Sequence, residues 1–544
     1  MGVYLNSKTP VSLFEEEANG LYFVDKTNLL ATLLQLFEQG NKYFCITRPR
    51  RFGKTMAAHM LASFLGKESG SRAFFESFGI SGSKLFARHA NQYNIIYISM
   101  NEIPKNCSSY AQYISRIEGR LYKDLKAAFP AYDFTREDAV WDILDEVYEN
   151  ETDARFVFLF DEWDYIFHRD FVTEADKAAY LEFLSNLLKG KAYVSFAYMT
   201  GILPIAKYSS GSELNMFLEY SMVTEAAFGD CFGFTDTEVD MLYARYQQNQ
   251  RSRRVTREGL RLWYDGYVTC TGERVYNPRS VVCALLNNNL GNYWTSAGPY
   301  DEIYFYLEKN IADIREPVAR MVAKESVPAK IREYAATSQH LGTKDEIFSA
   351  MVVYGFLSYE NGCVSIPNKE LMIQFERLLQ KEPSLGYVYR LAKESERMLQ
   401  ATLAQDADTI AELLEYAHNT EVPLLSYNHE SDLTAVVNLV YLAARDVYRI
   451  EREDKAGTGY VDFIFYPDQD PSLPGIILEL KIGGKPEAAI QQIRERKYAL
   501  RFQNKLGEVS KHNKTVLAVG IAYDKKDKKH RCKIERLDAG LADG

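Results

Sequence analysis

Short apolar runs rich in aromatic and β-branched residues alternate with helix-spaced segments along the first part of the chain. Tyr43-Phe44-Cys45-Ile46-Thr47 and the segments 95–101, 156–160 and 192–199 read as strands, and 56–65 has the apolar spacing of a helix. Phe156-Val157-Phe158-Leu159-Phe160 shows no polar alternation, which predicts a parallel strand buried on both faces. Strands separated by helices make residues 1–225 an expected α/β domain. From 226 to 422 the pattern turns helical, as in Thr237-Glu238-Val239-Asp240-Met241-Leu242 and Arg257–Tyr264. Within that stretch a helix at 347–356, a short β-wing at 357–366 and a helix at 369–379 read as a winged-helix unit. The unit lacks a basic recognition helix, so packing is expected of it rather than DNA binding. A helical stretch at 394–418 leads to a boundary at Glu421-Val422-Pro423. Residues 423–544 read as a second α/β domain: a helix at 430–444, strands at 459–466 and 475–482 joined as a hairpin, a helix at 487–502 and a strand at 516–522.

Composition narrows the class. The chain has 544 residues, 47% apolar and 25% charged, which fits a globular protein too long for one core and excludes a disordered or fibrous one. No apolar run approaches the roughly 18–20 residues needed to span a bilayer, and the first six residues lack the basic and apolar regions of a signal peptide. The seven cysteines are scattered without a CxxC pair, so a reducing cytoplasm is expected and a zinc site is not. A net charge of −10 argues against a protein that coats nucleic acid, but leaves room for an enzyme with a local basic groove. Of three basic patches, 48–51, 494–497 and 525–531, the last reads as a solvated face.

Two clusters carry chemistry. Directly after the first strand comes Arg48-Pro49-Arg50-Arg51-Phe52-Gly53-Lys54-Thr55, followed by a helix. Strand, loop ending in Gly-Lys-Thr, then helix is the context of a phosphate-binding loop, with the helix N-terminus offering free N–H groups. Arg50, Arg51, Gly53, Lys54 and Thr55 are the expected nucleotide contacts, Lys54 on the β- and γ-phosphates and Thr55 on Mg²⁺. Arg48 stands where such loops usually open with glycine. Asp161, closing the 156–160 run, is the expected second Mg²⁺ ligand, and Glu162 is expected to polarise the attacking water. Thr200, ending the 192–199 strand, reads either as a γ-phosphate sensor or as a plain strand-to-turn transition.

The second cluster lies near the C-terminus. Glu479 and Lys481 are two apart on a strand and share a face, and Asp462 on the neighbouring strand can lie beside them. Two carboxylates and an ammonium in an apolar setting suit divalent-metal-assisted phosphodiester cleavage. Asp462 and Glu479 would bind Mg²⁺, with Mn²⁺ as an alternative, and Lys481 would position and deprotonate water. This is the PD-(D/E)xK arrangement of nucleases, with Val461 in the place of the proline. Glu430 on the preceding helix is a further candidate metal ligand, and Gln492 on the following helix a candidate for the metal water or substrate. Taken alone, D…ExK recurs by chance in surface ion pairs; the hairpin and flanking helices set this one apart.

With these residues placed, the sequence resembles the bacterial AAA-ATPase-like family that carries a C-terminal PD-(D/E)xK nuclease domain. The resemblance spans nearly the whole chain. It rests on Tyr22-Phe23-Val24-Asp25-Lys26-Thr27, the loop 48–55, Phe160-Asp161-Glu162-Trp163-Asp164, Trp263-Tyr264-Asp265-Gly266-Tyr267, Tyr276-Asn277-Pro278, Tyr293-Trp294, 459–462, Glu479-Leu480-Lys481 and 492–498. The family's loop also lacks the first glycine, and Trp163 stands where the family more often has Tyr. The resemblance implies an ATPase of the oligomer-forming type joined to a nuclease-like domain; Asp25-Lys26-Thr27 has no role that sequence assigns. The leading expectation is an ATP-binding and hydrolysing protein coupled to cleavage of nucleic acid, DNA rather than RNA, in a homo-oligomer. An arginine finger would then be expected, with Arg48, Arg50 and Arg51 as candidates in cis or in trans. The alternative is a nucleotide-controlled switch whose C-terminal domain binds nucleic acid or a partner without cutting. A purely structural protein would need both acidic clusters to be coincidental.

Overall fold

The computed structural model describes residues 2–538 apart from 152–153, 206–207, 209–212, 224–225, 251, 295–302, 304, 309–310, 332–340, 420–429, 457–458, 469, 471, 500–501, 503–514 and 528. The chain divides into two compact units, Met1–Lys309 with Pro328–Leu371, and Asn310–Val327 with Met372–Gly544. Residues 226–422 are thus shared between the units. Among the described residues no helix is long and apolar enough to cross a membrane.

The first unit is built on a parallel five-stranded sheet of β1 (Tyr43–Thr47), β2 (Asn94–Ser99), β3 (Phe156–Asp161), β4 (Val194–Gly201) and β5 (Leu218–Tyr220), in the order β2-β3-β4-β1-β5. The uninterrupted apolar run of β3 has the predicted consequence: Phe156, Phe158 and Phe160 enter one core cluster, while Val157 and Leu159 enter the other. β4 lies between β1 and β3, pairing Thr200 with both Ile46 and Asp161, so three strand ends meet at one edge of the sheet. β5 is only three residues long, and sequence reading passed over it.

The Asp25-Lys26-Thr27 segment, opaque in the sequence, is a clamp. Asp25 accepts from the amides of Thr27 at 2.8 Å and Gly79 at 2.7 Å, and Thr27 Oγ1 accepts from the Ile80 amide at 3.1 Å. Lys26 donates to the Asp230 carbonyl at 2.6 Å and pairs with Glu238 at 2.7 Å. The winged-helix expectation meets a helix at Lys344–Tyr354, a hairpin of β6 (Ser358–Glu360) and β7 (Cys363–Ser365), and a helix at Lys369–Lys381.

The second unit holds a mixed sheet of β8 (Tyr448–Ala456), β9 (Gly459–Pro467), β10 (Gly475–Ile482), β11 (Thr515–Asp524) and β12 (Lys529–Asp538), in that order. β9 and β10 form the expected antiparallel hairpin, and β10 runs parallel to β11. Three helical stretches depart from their patterns, one by splitting and two by ending early. The 394–418 stretch is two helices, Ser395–Leu403 and Ala407–Asn419, because Gln405 turns left-handed and Asp406 caps the second through Thr409. The 430–444 helix is Glu430–Val440 with a 3₁₀ turn after it, and the 487–502 helix is Pro486–Glu495, closed by a left-handed Lys497 that returns Tyr498 to the core. In the basic run 525–531 the described Lys and Arg residues are exposed, as a solvated face requires, with Lys529 onward forming β12 and Arg531 pairing with Asp527 and Asp524.

Thr27 is 1% exposed and holds a buried amide, so Thr27→Val, which keeps the shape and removes the acceptor, is expected to cost about 1–2 kcal/mol. The measurement is urea denaturation of both proteins. A lowered midpoint at constant slope is the expected result, and an unchanged midpoint would remove the clamp's energetic role.

Candidate functional site

The loop after β1 turns through two left-handed residues, Arg51 at φ 68° and Gly53 at φ 90°. Gly53 caps the helix Lys54–Leu65 and adopts this conformation freely, whereas Arg51 does so at a cost of about 1–2 kcal/mol. The Lys54 ammonium donates to the carbonyls of Arg48 and Pro49 at 2.9 Å each. Burial pulls it down to about 8 against the pull of Asp164, Asp161 and Glu162. Arg48, in the place of the glycine, is 2% exposed; it donates to the carbonyls of Thr47 (2.8 Å), Tyr220 (3.0 Å) and Phe228 (3.0 Å) and lies over the Phe232 ring. It is a strut that ties the loop to β5 and the segment beyond. Arg50 and Arg51 line the cleft in front of the loop; Arg51 donates to the Tyr293 carbonyl.

The acids stand opposite. Asp161 is 1% exposed; the Thr55 hydroxyl hydrogen-bonds its carboxylate, and among the described residues its Oδ1 has no partner. Burial above all pushes it up to about 6. Glu162 is left-handed at φ 52° and accepts from Asn101 Nδ2 at 2.9 Å. Asp164 accepts from the amides of Ile202 (3.1 Å) and Leu203 (2.9 Å), and Trp163 donates to the Leu203 carbonyl at 3.1 Å, so the residues after Asp161 are stitched to those after β4. Thr200 spends its hydroxyl on the Ile46 carbonyl at 3.1 Å, locking β4 to β1, and it is fully buried. A cleft of about 710 Å³ runs along the loop past Glu162, Tyr22, Phe234 and Arg279, a volume suited to a cofactor-sized ligand.

In the second unit the pairing Phe463↔Leu478, continued by one residue, sets Asp462 beside Glu479 on one face. Asp462 accepts from the Leu480 amide at 2.7 Å. Glu479 Oε1 receives Lys481 Nζ at 3.2 Å and a short hydrogen bond from Gln492 Nε2, while its Oε2 is buried without a partner among the described residues. Burial, then repulsion from Asp462, pushes Glu479 up to about 7 against the pull of Lys481. Asp462, Glu479, Lys481 and Gln492 therefore converge. The Glu430 side chain lies outside the described residues, and among the described residues no group of three acids, histidines or cysteines is ready to hold a metal. Orphaned buried oxygens on Asp161 and Glu479 fit the donor set of a hard divalent cation at each site.

Sequence reading missed Asn101 and Asp164 as holders of the first site. No local signal marked either one, since their partners lie 61 and 38 positions away.

A glycine-lysine-threonine loop facing an acid at the end of a parallel strand, and paired acids with a lysine on a hairpin, define a protein that joins a P-loop ATPase-like domain to a nuclease-like domain. Residues 11–210 match the family described as "Predicted AAA-ATPase", and residues 433–531 match the PD-(D/E)XK nuclease superfamily; the chain carries a domain of each. Among solved structures, a Walker-type ATPase of Pyrococcus abyssi is similar at 13% identity and a TM-score of 0.38, over 65% of this chain and 96% of its own. The ORC2 protein of Aeropyrum pernix, in its ADPNP-ADP complexes, is similar at 13% identity and a TM-score of 0.32, over 65% of this chain and 93% of its own. No curated protein matches the chain.

Because the Glu479 carboxyl is raised in the fold, its ionisation opposes folding: the stability present at low pH is lost as pH rises from about 4.5 to about 7. In divalent-free buffer, the difference in stability between wild type and Glu479→Gln should therefore shift by an amount of order 3 kcal/mol across that window. Thermal melts of both proteins at several pH values measure it, and a difference independent of pH overturns the assignment.

Proposed function

We propose that the chain binds and hydrolyses ATP and that its C-terminal domain cleaves nucleic-acid phosphodiesters, with nucleotide state controlling cleavage. The observation that carries this reading is the orphaned, buried carboxylate oxygen at each of two separate sites, each with a lysine close by: Asp161 near Lys54, and Glu479 beside Lys481. At the first site Thr55 and Asp161 would hold Mg²⁺. Lys54, now hydrogen-bonded to loop carbonyls, would exchange them for the β- and γ-phosphates, joined by the N–H groups at the start of the helix Lys54–Leu65. Arg50 is placed to add charge along the cleft. Glu162, oriented by Asn101, would take a proton from the attacking water. Buried as a strut, Arg48 is not assigned to the phosphates, and Thr200 is assigned to strand locking.

At the second site Asp462 and Glu479 would hold Mg²⁺ or Mn²⁺, which when bound lowers the pKa of a water and screens the phosphate charge. Lys481 would orient and deprotonate the nucleophilic water, and Gln492 keeps Glu479 aligned. Glu430 remains a further candidate at this site. DNA is the favoured substrate, a homo-oligomer the favoured assembly and the cytoplasm the favoured compartment, the last on seven cysteines scattered along the sequence without a CxxC pair.

Lys54→Ala is expected to lower ATP turnover at least about a hundredfold. Asp462→Ala is expected to abolish divalent-dependent cleavage while leaving ATP turnover intact. Both are read in one assay series, with and without ATP and Mg²⁺. Persistent cleavage by the Asp462 variant overturns the second site, and robust ATP turnover without cleavage of any DNA or RNA favours the switch.

A further inference from the structure

Three aromatic-rich segments marked in the sequence, Trp263-Tyr264-Asp265-Gly266-Tyr267, Tyr276-Asn277-Pro278 and Tyr293-Trp294, touch the first site only through Pro278, which lines its cleft, and the Tyr293 carbonyl, which receives Arg51. They converge on one buried acid, Glu370, in the first turn of the helix Lys369–Lys381. Gly266, at φ 110°, is the first anchor: the Pro367 carbonyl oxygen lies 1.9 Å from where a β-carbon would stand, so only glycine lets 263–267 seat against the chain entering that helix. Tyr264 exchanges hydrogen bonds with the carbonyl (2.9 Å) and amide (3.0 Å) of Gly291, which fixes the approach to Tyr293. Asn277 caps the helix Pro278–Asn287 by accepting from the Ser280 amide at 3.1 Å, placing Ser280 and Arg279 in its first turn.

Glu370 gathers these elements. Its Oε1 accepts from the amides of Tyr293 and Trp294 at 2.6 Å each, and the Ser280 hydroxyl donates to Oε2 at 2.9 Å. The other face of the 293–294 peptide group is engaged too: the Tyr293 carbonyl accepts from the Arg51 guanidinium in the phosphate loop. One peptide therefore lies between a guanidinium and a carboxylate, with its oxygen toward the cation and its N–H toward the anion. Burial pushes the Glu370 carboxyl up to about 7 against the pull of the Trp294 amide, the Ser280 hydroxyl and Arg51, so its charge is complete only above neutral pH. Hydrogen bonds in such a chain polarise and strengthen one another. Charge gives a second reason for the acid. Arg51 and Arg279 oppose each other electrostatically at one cleft, and Glu370 is the counter-charge that offsets them.

We propose that Glu370 is a positioning residue for the phosphate loop: through the 293–294 peptide and Ser280 it holds Arg51, and the helix carrying Arg279, in the arrangement that receives a nucleoside triphosphate. The proposal rests on the nucleotide reading of the cleft. It explains why a non-glycine residue sits at a left-handed position two residues before Gly53: the side chain of Arg51 is tethered from outside the loop, and the tether offsets the backbone cost.

The test uses the full chain: Mg-ATP binding by calorimetry, and kcat and KM for ATP hydrolysis, on wild type, Glu370→Gln, Arg51→Ala, the double variant and Ser280→Ala. Glu370→Gln keeps the accepting oxygen and removes the charge. It is expected to raise KM and the ATP dissociation constant about tenfold with kcat within about twofold, because a positioning loss acts on binding. The double variant should be weaker than Arg51→Ala alone by no more than the roughly threefold carried through Ser280, since the rest of the effect of Glu370 passes through the same peptide as Arg51. Ser280→Ala removes one donor, leaves the acid in place, and should raise KM by about threefold even if the Glu370 variant does not fold. Unchanged KM in Glu370→Gln and Ser280→Ala, or losses that multiply in the double variant, overturns the proposal while the nucleotide reading stands. A wild type that binds no Mg-ATP overturns both.

Discussion

A carboxylate taken out of water must be paired, protonated or bound to a cation, and this protein twice leaves one half satisfied. Asp161 Oδ1 and Glu479 Oε2 are buried with no partner among the described residues, and burial raises both acids. Such a placement costs stability unless the surrounding fold is strong enough to enforce it. In the first unit the enforcement comes from β3, whose every side chain is buried, so Asp161 has no freedom to swing toward solvent. In the second it comes from the β9–β10 pairing, where slipping the register by one residue would turn every side chain to the wrong face. The apolar runs that make the sheets are therefore also what makes the acids available to a cation.

Strain is concentrated around the first of these sites. Arg51 and Glu162, both left-handed, line the same cleft. Neither residue type adopts that conformation cheaply, and each is held by a contact from a distant segment: Arg51 by the Tyr293 carbonyl, Glu162 by Asn101. The missing glycine belongs to the same pattern. In the usual place of that glycine, Arg48 braces the loop against β5 and the 228–232 segment with two hydrogen bonds and a ring contact. The loop is shaped by side chains reaching outward instead of by backbone permissiveness.

The central strands and both acidic clusters were legible because their signals are local. Gly-Lys-Thr sits between a strand and a helix, Asp161 follows five apolar residues, and Glu479 and Lys481 alternate on one strand. What stayed hidden is of two kinds. β8 and β12 are the outer strands of their sheet and carry Arg449, Glu451, Arg452 and Lys529, Arg531, Lys533, Glu535; edge strands are charged to resist pairing with other chains, which erases the apolar signature that reveals inner ones. Asn101, Asp164 and Glu370 were invisible for another reason. Their partners lie many tens of positions away, and an acid in the first turn of a helix, as Glu370 is, looks like an ordinary dipole-compensating residue until the fold closes around it. The Asp25-Lys26-Thr27 segment belongs with them, since its meaning is a set of bonds to residues 79, 80, 230 and 238.

The two sites differ in what they permit. The first lies at the ends of parallel strands, the place where open α/β sheets leave a crevice, and its lysine, arginines and glutamate all stand on loops or helix starts that can rearrange. Lys54 is engaged by carbonyls of its own loop, so a phosphate bound there in the proposed manner would change the loop's own hydrogen bonding. The second lies within paired strands: Asp462 receives a backbone amide of β10, and Glu479 sits in mid-strand, held by Lys481 and Gln492. Ladder hydrogen bonds fix that geometry, and no small motion can spread its acids without breaking them. A nucleotide-dependent change in cleavage would then have to act through access of substrate to a rigid acidic pair, because the pair itself has nowhere to go.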